Sequence, residues 1–178
     1  MPPCRPILTP GRPSLALAVL ALLFGGCFSA ATVPIKAAYE EEERHRWEAK
    51  AKDGNPEAEY KYGMTFCCGL GAFYNNVTAS EWVCKAARKG YVKAQAQVGH
   101  FYRKDKGFGL PQKKLQEASL PQDDALASAW YGIAATQGDG DAPREQAAIA
   151  RRLTTEEVAR SRQLEASFPN LPCEITRS

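Results

Sequence analysis

Two blocks of the chain place apolar residues at helical spacing. Ala79, Trp82, Val83, Ala86 and Ala87 stand at i, i+3, i+4, i+7 and i+8, and Ala127, Trp130, Tyr131, Ala134 and Ala135 repeat the set. That spacing collects one apolar stripe on one face of a helix. Bulky rings interleaved with alanines let a neighbouring helix come close around each ring. Gly90 and Gly138 follow the two stripes, where a residue with positive φ ends a helix. Because the stripe recurs in both blocks, it reads as packed core rather than as a cofactor box.

The repetition is wider than the stripes. Gly54, Gly90 and Gly138 each stand four residues before an alanine, at Ala58, Ala94 and Ala142. Gly63 and Gly99 follow Ala58 and Ala94 by five residues, and Phe66 and Tyr102 follow three later. The step from Ala58 to Ala94 is 36 residues and that from Trp82 to Trp130 is 48, so 12 extra residues lie inside the second unit. A period of this length predicts stacked helical hairpins, an all-α fold of the short α-solenoid type.

The pattern resembles the Sel-1-like repeats, relatives of the tetratricopeptide repeat. The first unit carries it as Ala58, Tyr62-Gly63, Phe66, Gly69, Gly71, Asn75, Ala79, Trp82, Ala86-Ala87 and Gly90. The second carries it as Ala94, Val98-Gly99, Tyr102, Gly107, Asp123, Ala127, Trp130, Ala134-Ala135 and Gly138. Asn75 replaces the usual aspartate, and Asp105 stands where the first turn glycine belongs. The resemblance spans about residues 36–167 and implies a fold of helical hairpins.

The expected organisation is a solenoid over 36–168, followed by an irregular tail over 169–178. An unpaired half repeat (36–54) opens it, repeat one is 55–90, and repeat two is 91–138 with an insertion at 104–121. A degenerate cap (139–168) closes it, with Thr154 and Glu157 as a capping-box pair. Glu42 and Arg46 at i,i+4 suit a solvated face of the opening helix.

Ahead of the solenoid, Arg5 and Arg12 precede the uncharged run LALAVLALLFGG at 15–26. This is the anatomy of an export signal, too short for a membrane span. FGGCFSA resembles the lipobox of bacterial lipoproteins, making 1–26 the signal, Cys27 the lipidated residue and 27–35 a linker; Phe24 departs from the usual leucine. The alternative is cleavage after Ala31, using Ser29 and Ala31, which leaves a soluble periplasmic protein. The expected location is therefore the periplasm, with a lipid anchor in the outer membrane.

Export makes the cysteines disulfide candidates. Setting aside Cys4 and Cys27 leaves Cys67, Cys68, Cys84 and Cys173. A bridge between adjacent cysteines strains the backbone, so Cys67 and Cys68 are each expected to pair elsewhere, with Cys84 and Cys173 as the available partners. No histidine lies near them at zinc-ligand spacing, and no metal or other cofactor is expected.

Charge alters the picture little. The formal +3 falls to 21 basic against 20 acidic residues once Arg5 and Arg12 are removed, which gives no general pull toward nucleic acid. No nucleophile elbow, phosphate loop or carboxylate dyad stands at a known spacing, and His45 and His100 are the two histidines; the chain is expected not to be an enzyme. The NVT sequon at 76–78 is incidental beside a bacterial-type signal.

Binding has the better physical case. Analogy with the related repeats places Tyr60, Met64, His100, Arg103, Lys104, Arg144, Arg151 and Arg152 in a concave groove. Its first unit is aromatic and apolar and its later units are basic, which suits a partner's acidic groups. In the insertion, Phe108 and Leu110 are candidate anchors, and Lys113 and Lys114 candidate steering charges. The resemblance implies a non-enzymatic protein-binding solenoid, first of all an immunity protein blocking a secreted toxic effector such as a phospholipase. The alternatives are an assembly or regulatory adaptor of an envelope complex and, from another class, a cell-wall hydrolase or penicillin-binding enzyme.

Overall fold

The computed structural model describes residues 28–67, 75–103 and 122–173. By internal contact the chain divides into Met1–Ile35 and Lys36–Ser178; the core clusters and the helix packing belong to the second unit. The described residues form helices and turns without a strand. In order the helices are α1 (Phe28–Lys52), α2 (Pro56–Met64), α3 (Asn76–Arg88), α4 (Val92–Tyr102), α5 (Asp124–Thr136), α6 (Ala142–Ala150) and α7 (Thr155–Ala166). Helix α1 begins at Phe28, so of the linker expected at 27–35 the described part, 28–35, is helical, and alanines at 30, 31, 37 and 38 supply the propensity for it.

Local chemistry sets the boundaries. Asn55, Asn75, Asp123 and Thr154 each accept a hydrogen bond from the backbone N–H three residues on, opening α2, α3, α5 and α7. At α7 the Glu157 side chain also accepts from the Thr154 N–H, completing a capping box. Gly54, Gly90 and Gly138 turn the chain with φ of +85°, +86° and +94°, a region costly for any side chain. Asp139 accepts from the Ala142 N–H at 2.8 Å just as Asn55 accepts from Ala58 at 2.9 Å. The three glycine turns therefore start three units in one register.

Packing follows the order of the chain. Helices α2 and α3, α3 and α4, and α4 and α5 pack in succession, and α5 then takes both α6 and α7. This sequence of contacts fits a helical repeat. Val83, Ala87, Ala94, Val98, Trp130 and Tyr131 are all fully buried in one core. A smaller cluster joins Ala51, Ala58 and Tyr62, with Trp47 and Trp82 against it. Gly63 and Gly99 make the hairpins tight: a Cβ at Gly63 would stand 2.9 Å from the Cβ of Trp82, and one at Gly99 would stand 3.0 Å from the Tyr131 ring.

The C-terminal segment is fastened to this core. Leu171 and Cys173 are buried, the Trp130 indole N–H donates to the Pro172 carbonyl at 3.1 Å, and Cys173 is disulfide-bonded to Cys84. This corrects the expectation that Cys84 and Cys173 serve Cys67 and Cys68. The two residues lie 89 apart in sequence, and only the folded tail, held by Leu171 and Trp130, brings them together. Cys67 is itself disulfide-bonded; Cys68 lies outside the described residues.

Candidate functional site

A concave surface with an exposed aromatic side chain lies where α1 meets α2. It is a cleft of 410 Å³ lined by Tyr39, Glu43, Trp47, Tyr60, Met64 and Cys67, together with Lys61 and Thr65. Tyr39 is 62 % exposed, the one large hydrophobic side chain so exposed among the described residues. Residues 39, 43 and 47 recur every four positions, so α1 presents all three on one side. Tyr60 and Met64 hold the same relationship on α2.

Internal contacts fix the walls. The Trp47 indole N–H donates to the Glu43 carboxylate at 3.0 Å, and the Lys61 ammonium stands 4.1 Å from the centre of the Trp47 ring. That cation is also held by Glu57 at 2.8 Å. The Tyr60 ring leans on Tyr91 with centroids 5.4 Å apart. Burial, then the neighbouring Tyr91 and Asp139, raise the Tyr60 phenol above its ordinary value, so it remains an O–H donor at neutral pH. A rigid amphipathic wall of tyrosine and tryptophan costs little entropy when it meets another surface. What this arrangement can do is bind.

The residues expected to share one groove are not brought together. Tyr60 and Met64 line the cleft. Arg103 does not reach a partner surface: it is 2 % exposed and ion-paired with Glu145 of α6. Arg152 grips Asp124 through two hydrogen bonds of 2.8 and 3.1 Å. His100 is committed to Tyr131, its Nδ1 lying 2.7 Å from the phenol oxygen. Arg144 is exposed and meets Asp141 at 3.0 Å, and Arg151 is exposed. The physical reason is mutual neutralisation. Glu145 of α6 takes Arg103 inward, because a buried guanidinium is tolerable only when paired, and Asp124 of α5 ties down Arg152 at the surface. Lys104 and the loop residues Phe108, Leu110, Lys113 and Lys114 lie outside the described residues, as does Cys27.

Tyr39, Glu43 and Trp47 are hard to single out in the sequence because α1 reads as a charged, solvated helix. Their i,i+4 spacing is the one available signal. Asn76, the sequon asparagine, is 2 % exposed, which closes it to a glycan in the folded chain. Among the described residues, no group of three or more His, Cys, Asp or Glu side chains converges to hold a metal ion, and no helix is long and apolar enough to cross a membrane. Models of known protein families give no match to this chain, and curated proteins give none either.

Proposed function

We propose that this chain is a non-enzymatic protein-binding module of the bacterial periplasm, held at the outer membrane by lipid on Cys27, which grips a partner through the α1–α2 cleft. The observation that carries the reading is the cleft itself, with Tyr39, Trp47, Tyr60 and Met64 turned toward one open space. Aromatic and methionine side chains of this kind supply most of the energy in protein interfaces. Export is supported by the Cys84–Cys173 bond within the core, since such bonds persist in oxidising compartments, and by the signal-like residues ahead of Cys27.

Within that class we adopt inhibition of a secreted toxic effector as the specific form. Its support is the resemblance to exported Sel-1-like proteins. Arg103 and Arg152 add little to any basic steering, since both are paired with carboxylates of the chain itself. Site-specific photo-crosslinking in cells tests the reading. A photoreactive residue at Tyr60 should give one discrete adduct in the envelope fraction, and one at the exposed Glu81 of α3 should give none. Adducts equally strong from both positions, or absent from both, would contradict it. An adduct with an envelope-assembly component instead of an effector would favour the adaptor form.

A further inference from the structure

The third unit departs from the other two inside its hairpin. Helices α6 and α7 each pack on α5 but make little contact with one another. Between them lies an open cleft of 330 Å³, at the lower end of the range for ligand pockets, about 300–1,000 Å³. Register explains it. On the first helix, Tyr62 and Phe66 of unit one and Val98 and Tyr102 of unit two correspond to Gln146 and Ala150. On the second helix, Trp82 and Trp130 correspond to Ser161, while Val83 and Tyr131 correspond to Arg162. The positions that hold rings or valine in the first two hairpins are thus small or polar in the third.

A terminal unit of a repeat array is expected to be polar on its outer face. Here all four replacements line the cleft between the two helices of one hairpin, with Ser161 buried, Gln146 half-buried, and Ala150 and Arg162 at its open side. Ser161 is 3 % exposed. Val158, Leu153, Ala147 and Ala150 form apolar walls around the space. At the floor, the Gln146 amide donates to the Glu165 carboxylate at 3.0 Å and to the Ser128 carbonyl at 3.3 Å. This floor is admitted by Gly132 in the middle of α5, where a Cβ would come within 2.7 Å of the Gln146 Nε2 and closer still to Glu165. A glycine inside a helix is disfavoured against alanine, so the floor is built against a local penalty. Burial lifts the Glu165 carboxyl above its ordinary value despite the Gln146 hydrogen bond and Arg162, as for an acceptor short of donors.

We propose that the α6–α7 cleft receives a tryptophan side chain presented by a partner protein, its ring taking the place left by the missing Trp at Ser161 and its indole N–H donating to Glu165. The apolar walls match the ring, and the acceptors on the floor match the one donor an indole carries. This surface is separate from the α1–α2 cleft. The proposal rests on the reading of the chain as a protein-binding module, yet its failure would leave the crosslinking result at Tyr60 untouched.

Titration of the isotopically labelled full chain with N-acetyltryptophanamide, followed by amide NMR, tests it. Saturable shifts should centre on Ala147, Ala150 and Ser161, and N-acetylleucinamide should produce little. Ser161→Trp fills the cleft from within and should abolish the shifts. Glu165→Ala should weaken binding roughly two- to tenfold, the worth of one hydrogen bond. Should Ser161→Trp not fold, Gly132→Ala carries the test, because the side chains it displaces are flexible ends: the fold should persist and the affinity should fall. Absence of shifts, shifts centred on Tyr60 or Trp82, or affinity unchanged in Gly132→Ala would each overturn the proposal. Binding of free indole without binding of the blocked amino acid would overturn the peptide source.

Discussion

Gly63 of α2 lies so close to Trp82 of α3 that a Cβ on the glycine would stand 2.9 Å from the Cβ of the tryptophan. The other near atoms are Val83 Cγ2 at 3.0 Å and the Ala79 carbonyl at 3.1 Å, none of them the free end of a flexible side chain. Gly63→Ala gains helix propensity of up to about 1 kcal/mol and forces the two helices apart at about 1–3 kcal/mol. The expected net is a loss of up to roughly 2 kcal/mol on those figures, read as a lower denaturation midpoint with an unchanged slope. A stabilising outcome, as for an exposed helical glycine, would show that the hairpin is looser than described.

The Cys84–Cys173 bond closes a span of 89 residues. Removing it by Cys84→Ala with Cys173→Ala should cost about 2–4 kcal/mol. Because the Trp130 N–H donates to Pro172 next to the bond, the fluorescence of Trp130 should shift as the tail loosens. Lower stability without any change at Trp130 would mean that the tail is held by other contacts, such as Leu171.

Legibility in the sequence depends on the range of each signal. The stripes through Trp82 and Trp130, the Thr154–Glu157 capping box and the glycine turns are written within a few residues of one another, and periodicity reveals them. The pairing of Arg103 with Glu145, 42 residues away, has no local trace. An arginine past the end of a helix looks the same in sequence whether it points to solvent or to a buried carboxylate. For the same reason Cys84 and Cys173 are recognisable as disulfide candidates but not as each other's partner. The α1–α2 cleft is half legible: Tyr60 and Met64 sit on a repeat whose geometry is recognisable, whereas Tyr39, Glu43 and Trp47 are hidden among charges.

Arg103 offers a direct check on the corrected groove. At 2 % exposure and paired with Glu145, it belongs to the interior. Glu145→Gln should lower stability by roughly 3–5 kcal/mol if Arg103 loses its main counter-charge, and by less to the extent that its other contacts compensate. Partner affinity per folded molecule should be unchanged. Full stability with weakened binding would return Arg103 to the binding surface.

Asp123 couples a helix cap to an ion pair. It accepts from Arg160 of α7 at 2.8 and 2.6 Å and from the Leu126 N–H at 3.0 Å. Burial alone pushes the carboxyl up, but the Arg160 hydrogen bonds and the backbone donors outweigh it and hold it below the ordinary 3.8. A depressed carboxylate stabilises the fold fully above that ordinary value, and the contribution is lost as pH falls through the folded-state value. Asp123→Asn keeps a capping oxygen and should cost up to about 1 kcal/mol at neutral pH, because Arg160 is half exposed. The variant should also lose less stability than the wild type below pH 3.8. Asp123→Ala should cost about 1 kcal/mol more through the lost cap. An acid limb identical in wild type and Asp123→Asn would remove Asp123 from this role.

The central claim is that the α1–α2 cleft is where this chain holds its partner. Hydrogen–deuterium exchange of the full chain, alone and with the crosslinked partner added back, tests that claim most directly. Added protection is expected over residues 39–47 and 60–67, with α5 unchanged. Protection confined to other helices, with those two stretches exchanging as in the free chain, would contradict it.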